Sequence, residues 1–482
     1  MTKSAHLDID VSALSGVTQD SRAVQAGYLF AALKGEKSNG EKYIPEVLKK
    51  GASVILVDEA YQTDGDFGDA KLIKSANPRK DFSYITADFH AKQPGNIVTV
   101  TGTNGKSSTV YFANQLWAAI EESATFIGTL NNNLTTPDPV SLFETLAQMA
   151  DDGISHVALE ASSHGLSQYR MDGANITVAA FTNLSQDHLD YHDTMETYFT
   201  AKARLFEELL PLKGVAVLNA DIPEFHVLSG ICKKRGLRIL SYGRQAKDIV
   251  LNECTVDGLD YAISIEVLGR SFDVKVPLIG EFQIMNLLCA LACVIAEDHS
   301  NERRVNKLIN ALSKIDGVPG RLQHVTDPGG IYHGYVDYAH TPDALKTVLG
   351  AIRPHVKGRI ITVFGCGGDR DQSKRPQMGA ITAELSDVTI ITDDNPRTED
   401  AGTIRDHIMA GIKGGDETQV DVIEGRRSAI AHAVEIMTEN DILLLAGKGH
   451  EQGQIIGTEI LPFDDAQELS NALLNKQKTE TR

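Results

Sequence analysis

The chain has 482 residues, of which 42% are hydrophobic and 23% are charged, a composition typical of a folded globular protein with about three domains. Its formal net charge of −19 argues against a nucleic-acid partner, because a phosphate backbone is bound by clustered Lys and Arg. No apolar run approaches the roughly 18 residues of a membrane-spanning helix, and the first residues lack the apolar core of a signal peptide. The five cysteines form no C-x-x-C pair, so we expect free thiols and a cytoplasmic location.

Alternating strand and helix patterns predict an α/β protein with three domains. We expect an α/β N-terminal domain at 1–92, a central domain at 93–318 with a P-loop-type, mostly parallel sheet flanked by helices, and a Rossmann-like C-terminal domain at 319–482. Ligands of such sheets bind at the carboxyl ends of the strands, so site residues are expected in the loops that follow them. The predicted strands cover residues 28–33, 54–57, 97–100, 156–160, 178–182, 215–218, 360–364, 388–392 and 442–445.

A glycine-rich loop joins one of these strands to a helical pattern in the central domain. Strand, glycine loop and helix in this order aim backbone N–H groups and a helix N-terminus at phosphates. Gly102 and Gly105 allow the backbone a close approach to the ligand. Lys106 is expected to reach the β- and γ-phosphates, and the Ser107 hydroxyl is expected to contact Mg²⁺.

The loop departs from the usual phosphate-binding pattern at one position. The pattern has Gly where this chain has Val100, so the loop is a variant. The following helix is predicted over residues 109–120. The alternative interpretation is a plain glycine turn between a strand and a helix.

Charged and hydroxyl side chains follow the next two predicted strands. Glu160 ends one strand, where a carboxylate beside a phosphate loop suits Mg²⁺ and a helix-capping turn is the alternative. The loop that follows has two Asp and two His within residues 187–192, and a single metal-facing histidine is favoured over a zinc site because no Cys joins them. Lys202 follows in an amphipathic helix and, from the residues alone, is predicted to be a solvated lysine.

Six long motifs are spread over the chain, and together they are too specific for chance matches. They are Thr-Gly-Thr-Asn-Gly-Lys-Ser-Ser at 101–108, Glu-Ala-Ser-Ser-His-Gly-Leu at 160–166, Thr-Asn-Leu-Ser-Gln-Asp-His-Leu-Asp-Tyr-His at 182–192, Asp-Tyr-Ala-His-Thr-Pro-Asp-Ala-Leu at 337–345, Asp-Asp-Asn-Pro-Arg at 393–397 and Ala-Gly-Lys-Gly-His-Glu at 446–451. In this order they resemble the motifs of the Mur ligases, the ATP-dependent amide-forming enzymes of peptidoglycan precursor synthesis. The resemblance covers essentially the whole chain. It is strongest to the members that add 2,6-diaminopimelate to UDP-N-acetylmuramoyl-L-alanyl-D-glutamate.

The resemblance implies an ATP site with Mg²⁺. Lys202 matches the lysine that family members carry as a carbamate, which reverses the solvated interpretation, because a carbamate is an anionic oxygen ligand that can hold a second Mg²⁺. Asn286 and Arg321 match positions around the adenine and the γ-phosphate, and Asp337 matches the ribose contact; a helix cap, a surface arginine and a strand-end turn are the alternatives. The implied catalytic residues are Lys106, Lys202, Glu160 and His188, the implied Mg²⁺ ligands are Ser107, Glu160, His188 and carbamylated Lys202, and the implied ATP contacts are Gly102, Thr103, Asn104, Gly105, Lys106, Ser107, Ser108, Asn286, Arg321 and Asp337.

The nucleotide-sugar site is matched less evenly. Asp20-Ser21-Arg22 resembles part of the family's N-terminal uridine-diphosphate site. The family often has Asn directly before a Thr-Thr pair, whereas this chain has Leu134 there and asparagines at 131–133, so the contact of that asparagine stays open. A polar helix face is the alternative for Gln168 and Arg170. The residues implied for the UDP-sugar-peptide are Ser21, Thr135, Thr136, Ser162, Gln168 and Arg170.

The amino-acid site decides the substrate. Diaminopimelate differs from lysine by one extra carboxylate, which a guanidinium can bind in bidentate fashion. In the family, an arginine at the position of Arg397 accompanies diaminopimelate, and Glu451 is placed to receive an ammonium. An Asx-Pro turn is the alternative for the tetrapeptide that ends at Arg397. The residues implied for diaminopimelate are Arg370, Asp394, Asn395, Pro396, Arg397, Gly447 and Glu451.

The implied reaction forms an amide through an acyl phosphate on the D-glutamate γ-carboxylate. The implied partners are UDP-N-acetylmuramoyl dipeptide, meso-diaminopimelate and ATP, with Mg²⁺ as cofactor, no nucleic acid and no membrane span, and we expect a monomer. Another ligase of the superfamily remains an alternative, but folylpolyglutamate synthase lacks a uridine-nucleotide domain like residues 1–92, and lysine-adding relatives lack Arg397. A non-enzymatic P-loop switch is the other alternative, and it leaves the motif at 446–451 unexplained.

Overall fold

The computed structural model describes residues 3–35, 38–132, 134–412 and 419–480. It divides into two compact units, the first made of Met1–Leu251, Ile265–Phe272 and Met285–Ala311 and the second of Asn252–Ser264, Asp273–Ile284 and Leu312–Arg482. The domain boundaries expected after residues 92 and 318 stay predictions. Among the helices of the described residues, none combines the length and apolar character needed to cross a membrane.

The first unit begins with β1 (Gly16–Thr18), β2 (Tyr28–Ala31), α1 (Ile44–Lys49), β3 (Val54–Asp58), β4 (Lys71–Ser75) and α2 (Pro78–His90). Its four strands form a parallel sheet in the order β1-β2-β3-β4. Successive side chains point to opposite faces of a strand, so Leu29 and Leu56 pack into one core while Phe30 and Ile55 pack into the other. The strands expected at 28–33 and 54–57 are confirmed, with β2 ending at Ala31.

The next elements are β5 (Asn96–Thr101), α3 (Lys106–Ala119), β6 (Ala124–Ile127), α4 (Pro139–Asp151), β7 (His156–Glu160), α5 (Ser163–Ser167), β8 (Ile176–Phe181), α6 (Leu189–His192), α7 (Met195–Arg204), β9 (Val215–Asn219), α8 (Phe225–Arg235), β10 (Arg238–Gly243), β11 (Ile249–Asp257), β12 (Asp260–Val267), β13 (Arg270–Val276), α9 (Glu281–Ile295) and α10 (Glu302–Ala311). The four strands expected here, at 97–100, 156–160, 178–182 and 215–218, are confirmed as β5, β7, β8 and β9. Cys289 and Cys293 are buried on α9.

Strands β5 to β10 run parallel in the order β10-β9-β8-β5-β7-β6, which places β5 between β8 and β7. Val100 near the end of β5 lies opposite Glu160 on β7 and Ala180 on β8. The loops after these three strands therefore leave the sheet at one edge. This edge brings the phosphate loop beside Glu160 and beside the loop that begins at Thr182.

The second unit continues with β14 (Gln323–Thr326), β15 (His333–Asp337), α11 (Pro342–Ile352), β16 (Ile360–Phe364), α12 (Lys374–Leu385), β17 (Val388–Ile391), α13 (Ala401–Met409), β18 (Gln419–Val422), α14 (Arg426–Ile436), β19 (Ile442–Ala446), β20 (Gly453–Ile456), β21 (Glu459–Pro462) and α15 (Asp465–Glu480). Strands β14 to β19 form one sheet in the order β14-β15-β19-β16-β17-β18, in which only the β14–β15 pairing is antiparallel among the described residues. The strands expected at 360–364, 388–392 and 442–445 are confirmed.

The register of this sheet aligns the carboxyl ends of its central strands. Asp337 on β15 lies opposite Ala446 on β19, which in turn lies opposite Phe364 on β16. Phe364 pairs with Ile391 on β17. The motifs that follow these strands therefore meet at one edge of the second unit, as expected for an α/β sheet.

Candidate active site

The loop after β5 requires glycine at two positions. Gly102 has a φ of +146°, and a Cβ there would lie 1.9 Å from Thr182 Oγ1. Gly105 has a φ of +83°, and a Cβ there would lie 2.2 Å from Asn286 Oδ1. Only glycine fits such a backbone without strain. Gly105 is also the left-handed residue before α3, so the helix begins at Lys106, three residues earlier than the expected start at 109.

The loop backbone is tied to the end of β8. The Thr103 N–H donates to the Asn183 carbonyl at 2.9 Å, and the Asn104 N–H donates to Asn183 Oδ1 at 2.9 Å. The Thr182 hydroxyl donates to the Asn104 carbonyl at 2.6 Å. These hydrogen bonds fix the loop backbone against the residues that follow β8, so the glycine turn has a defined conformation.

The first turn of α3 carries the side chains that are expected to bind phosphate. Lys106 Nζ donates to the carbonyls of Gly102 at 2.9 Å and Thr103 at 2.8 Å, so its ammonium is held over the loop. Ser107 and Ser108 are buried in the same turn. Backbone N–H groups and the positive end of the helix dipole make this turn a site for an anion.

Lys202 is buried beside the same loop. Its side chain, on α7, is 1% exposed, and Nζ donates to the Gly102 carbonyl at 2.8 Å and lies 4.4 Å from the centre of the Tyr198 ring. Burial, reinforced by the Lys106 charge, lowers the pKa of the Lys202 amine to about 6. The solvated-lysine interpretation drawn from the residues alone is wrong, because Lys202 lies on the side of α7 that faces the loop and not water.

Glu160 is a fully buried carboxylate at the end of β7. Oε1 accepts from the Thr129 N–H at 2.8 Å and Oε2 accepts from the Thr129 hydroxyl at 3.3 Å. A Cβ on Gly128 would lie 2.1 Å from Oε1, so this glycine leaves room for the carboxylate. The residue that caps α5 is Ser162 and not Glu160, because the Ser162 hydroxyl accepts from the Gly165 N–H at 3.0 Å.

Two members of the expected Mg²⁺ set have suitable chemistry. The Ser107 hydroxyl and the Glu160 carboxylate are hard oxygen donors of the kind Mg²⁺ prefers, and both lie at the edge of the sheet where the phosphate loop begins. His188 has a φ of +52°, its side chain is 47% exposed, and its Nε2 lies 3.4 Å from Asp187 Oδ2. No cluster of three or more His, Cys, Asp or Glu side chains suited to a metal occurs within the described ranges.

A cavity of about 570 Å³ lies between the N-terminal sheet region and the α4–α5 region of the first unit. Ser21, Gln168 and Arg170, all expected at the nucleotide-sugar site, line this cavity. Arg22, from the Asp20-Ser21-Arg22 match, and Arg79, which no motif match included, line it as well. Three guanidinium groups in one cavity suit a diphosphate, for which arginine geometry is well matched.

A hydrogen-bond chain runs from this cavity to Glu160. Arg170 Nη1 donates to the Thr136 carbonyl at 2.7 Å, and the Thr136 hydroxyl donates to the Glu160 carbonyl at 2.8 Å and lies 3.0 Å from Ser162 Oγ. Thr135 Oγ1 lies 3.0 Å from the Thr129 hydroxyl that contacts Glu160. The structure therefore brings Thr135, Thr136 and Ser162 together with Glu160. Asn133, in the stretch at 131–133 whose contact was left open, lies outside the described residues, and Leu134 is half exposed.

Arg321 and Asp337 lie together in the second unit. Asp337 ends β15 and is buried, and its carboxylate accepts from the backbone N–H groups of Leu322 at 2.7 Å and Ala339 at 2.8 Å. Burial raises the pKa of Asp337 to about 6, and the Arg321 charge opposes that shift. The Arg321 guanidinium lies 4.7 Å from the centre of the Tyr338 ring.

Two arginines flank one glycine in the amino-acid region of the second unit. A Cβ on Gly367 would lie 2.8 Å from Arg397 Nη1 and 3.7 Å from Arg370 Cγ. Arg397 Nη1 donates to the Gly368 carbonyl at 2.8 Å, which fixes the direction of the guanidinium. The two expected diaminopimelate arginines therefore lie beside the same glycine, and a guanidinium suits a carboxylate.

The acidic and amide side chains of this region form a second group. Asn395 Nδ2 donates to Glu451 Oε2 at 2.9 Å, and the Asn395 N–H donates to Asp394 Oδ1 at 2.7 Å. Gly447 has a φ of +113°, and a Cβ there would lie 2.8 Å from Asp394 Oδ2. Pro396, between Asn395 and Arg397, is buried. This group brings two carboxylates and an amide together, and their oxygen atoms can accept hydrogen bonds from an ammonium.

Lys448 is a member of this group that motif matching did not assign. Its side chain is fully buried, and Nζ donates to Asn395 Oδ1 at 3.2 Å, Glu451 Oε2 at 3.1 Å and the Gly453 carbonyl at 2.7 Å. A lysine three residues after the apolar strand at 442–445 is the sequence signal that could have marked it, because buried lysines are rare unless paired.

Three family models match consecutive parts of the chain. They are described as the Mur ligase family catalytic domain at residues 13–93, the Mur ligase middle domain at 100–294, and the Mur ligase glutamate ligase domain at 320–449. The chain belongs to the Mur ligase family. It has the mixed α/β, three-domain fold of that family, with a largely parallel central sheet flanked by helices.

Curated relatives match over nearly the full length. The chain is 41% identical to an Agrobacterium fabrum protein over 97% of this chain and 94% of the relative, and 43% identical to a Caulobacter vibrioides protein over 95% of each. Both relatives are named UDP-N-acetylmuramoyl-L-alanyl-D-glutamate–2,6-diaminopimelate ligase. A solved structure with the same name superposes with a TM-score of 0.71 at 33% identity, covering 96% of this chain and 95% of that one.

A more distant solved structure shares the fold. The MurF ligase of Thermotoga maritima in complex with ADP superposes with a TM-score of 0.60 at 17% identity, covering 98% of this chain and all of that one.

Proposed function

We propose that this protein is an ATP-dependent ligase that joins meso-2,6-diaminopimelate to the γ-carboxylate of D-glutamate in UDP-N-acetylmuramoyl-L-alanyl-D-glutamate, a step of peptidoglycan precursor synthesis. Full-length identity of 41–43% to ligases of that name supports the assignment. The observation that carries the choice of amino acid is the placement of Arg370 and Arg397 beside the same glycine, Gly367. A plain aminobutyl chain offers these cations nothing to bind, whereas diaminopimelate offers a second carboxylate.

Phosphoryl transfer is the first step of the reaction. The glutamate γ-carboxylate attacks the γ-phosphorus of ATP, ADP leaves, and the carboxylate becomes an acyl phosphate. Lys106 and the first turn of α3 would bind the phosphates and neutralise charge on the transferring group, so this loop contributes positioning and electrostatic stabilisation. Gly102 and Gly105 let the backbone approach the phosphates closely.

Mg²⁺ is the proposed cofactor of this step. Ser107, Glu160, His188 and carbamylated Lys202 would hold it, and bound Mg²⁺ would supply further positive charge to the phosphate oxygens. The same edge of the sheet carries the chain Thr136–Ser162–Glu160, which would position the dipeptide that enters from the cavity lined by Arg170.

Amide formation is the second step. The amine of diaminopimelate attacks the acyl carbon, and the tetrahedral intermediate expels inorganic phosphate. Arg370 and Arg397 would hold the distal carboxylate, and Glu451 with Asp394 and Asn395 would hold an ammonium of the same substrate. Those contacts orient the reacting amine and leave the other nitrogen bound.

Phosphate release from ATP in the presence of the UDP-linked muramoyl dipeptide tests the proposal. Meso-diaminopimelate should support release and yield a tripeptide product of the expected mass, whereas L-lysine and L-ornithine should be poor substrates. Preference for lysine would overturn the substrate assignment, and slow ATP hydrolysis independent of any amino acid would favour a nucleotide switch.

We also propose that the enzyme acts as a monomer in the cytoplasm, as expected from its sequence. Light scattering of the purified protein should give a single species near the chain mass of 52.3 kDa. A species of twice that mass would contradict the monomer.

A further inference from the structure

One arginine beside the amino-acid region is fully buried but is not among the residues expected to touch substrate. Arg375, in the first turn of α12, forms a fork-to-fork ion pair with Glu399: Nη1 donates to Oε2 at 3.0 Å and Nη2 donates to Oε1 at 2.9 Å. Nη1 also donates to His407 Nδ1 at 3.0 Å, and Nη2 donates to the Gly367 carbonyl at 3.3 Å. A buried guanidinium is retained only where such partners compensate for the loss of water.

The partner carboxylate belongs to the second of two loops. Glu399 lies two residues after Arg397, and its Oε1 also accepts from the Asp369 N–H at 2.5 Å. Arg375 therefore contacts the loop of Arg370 through the Gly367 carbonyl and the loop of Arg397 through Glu399. The hydrogen bonds from Arg375 hold the pKa of the Glu399 carboxyl below its usual range, so the pair stays ionised.

Both loops have strained backbones at the residues that matter. Asp369 has a φ of +54° and Arg397 has a φ of +53°, in the left-handed region that residues with a Cβ rarely adopt. Such conformations persist where surrounding contacts impose them.

The loops also leave almost no space between them. The Gly368 N–H donates to the Asn395 carbonyl at 2.9 Å, and a Cβ on Gly368 would lie 1.9 Å from the Pro396 carbonyl oxygen. The Thr398 N–H donates to Asp369 Oδ2 at 3.1 Å. These direct contacts set the spacing of the two loops, and the Arg375–Glu399 ion pair joins them.

We propose that Arg375 and Glu399 are positioning residues that set the distance between Arg370 and Arg397, and thereby the selectivity for an amino acid with a second carboxylate. This proposal rests on the proposed function for the identity of the substrate. Neither residue needs to touch the substrate. Their effect reaches it through the orientation of the two arginines, whose side chains both lie beside Gly367.

The test compares Glu399→Gln with a matched break of another ion pair in the same sheet. Asp441 is buried and accepts from Arg359 Nη2 at 2.8 Å and from the Arg359 N–H at 2.7 Å. Arg359 precedes the amino end of β16, whereas the Gly367 loop follows its carboxyl end. Asp441→Asn therefore removes a similar pair from the opposite end of the sheet.

In Glu399→Gln, KM for diaminopimelate should rise by at least about tenfold, as expected when a charged contact is misaligned. KM for ATP and for the UDP-dipeptide should stay within about twofold, and the kcat/KM ratio of diaminopimelate to L-lysine should fall. Asp441→Asn should lower the melting temperature and leave all three KM values and the ratio unchanged. Arg375→Lys should resemble Glu399→Gln, because one ammonium cannot replace the fork.

Amide hydrogen exchange supplies a readout that does not depend on the substrate. The N–H groups of Gly368 and Asp369 should lose protection in Glu399→Gln and keep it in Asp441→Asn. The positioning role would be overturned if Glu399→Gln changed neither the kinetics nor the exchange. It would also be overturned if both variants changed them equally. If Glu399→Gln does not fold, Glu399→Asp, which retains the charge, replaces it in the test. Glu399→Asp should show a smaller change of KM and of exchange in the same direction, and no such change would overturn the role as well. Failure of the wild-type enzyme to ligate diaminopimelate would instead contradict the proposed function, with the exchange result still deciding the role of the pair.

Discussion

Lys202 should react with dissolved CO₂ to form a carbamate, because the fold keeps its amine uncharged. The side chain is 1% exposed, and burial together with the Lys106 charge lowers the pKa from 10.5 to about 6. At about pH 7.5, roughly 97% of such an amine is neutral, against roughly 0.1% of a solvated lysine. The nucleophilic form is therefore about a thousandfold more abundant than on the surface.

The reaction and its pH dependence follow from this environment. The neutral nitrogen attacks the carbon of CO₂ and loses one proton to solvent, so an uncharged amine becomes an anionic carbamate whose N–H can still donate to the Gly102 carbonyl. Protonation removes the nucleophile, so the carbamate should appear as pH rises through about 6. Between pH 6 and 10.5, the folded protein binds fewer protons at Lys202 than the unfolded chain does, so this residue's contribution to the free energy of unfolding rises with pH.

Carbon-13 NMR in labelled bicarbonate measures the carbamate directly. Wild-type protein should give a carbamate resonance at about pH 8 that disappears towards about pH 5. Lys202→Met should lack this resonance. The control is Lys476→Met on α15, where the Lys476 Nζ donates to the Glu435 carbonyl at 3.1 Å, and this variant should keep the resonance. Lys202→Ala should be nearly inactive, and short-chain carboxylates should restore part of the activity. No resonance in the wild type, or an active Lys202→Ala enzyme, would refute the reasoning.

Three further changes test other parts of the molecule. Lys106→Ala should lower the ligation rate by about 10³-fold or more while the circular dichroism spectrum is kept, and a rate within tenfold of wild type would contradict the phosphate-loop assignment. Arg397→Ala should raise KM for diaminopimelate by at least about tenfold, since an unpaired buried charge costs about 2–5 kcal/mol, and steady-state kinetics should find KM for ATP unmoved. Asp465→Asn removes the negative charge that lies 2.6 Å from the fully buried Arg426 guanidinium. Chemical denaturation should show that the free energy of unfolding falls by about 3–5 kcal/mol, and a fall below about 1 kcal/mol would count against a stabilising role of the pair.

The elements around the phosphate loop follow from local sequence. A β-branched run forms β5, glycines form the turn, and a helix follows, because each choice depends on backbone preferences of neighbouring residues. Even here the start of α3 at Lys106 depends on the left-handed conformation of Gly105, which the helical pattern at 109–120 does not reveal. Placing the motifs at strand ends was also within reach, since parallel strands align their carboxyl ends.

Contacts between distant segments were beyond the reach of pattern reasoning. The cavity lined by Ser21 and Arg170 depends on how the segments around them pack, and motif similarity placed these residues in one site without indicating Arg79 beside them. The roles of all the site residues stay predictions until the variants are measured.

The sequence by itself determined the α/β class, the strand positions and the family, because these depend on short-range periodicity and on long contiguous motifs. Only the tertiary structure decided which polar side chains are buried. Lys202 looks solvated along its helix but donates to Gly102, 100 residues away, and the buried Arg375 pairs with Glu399, 24 residues away. The physical reason is that desolvation and ion pairing depend on what packs against a side chain, and that neighbour is supplied by a remote part of the chain.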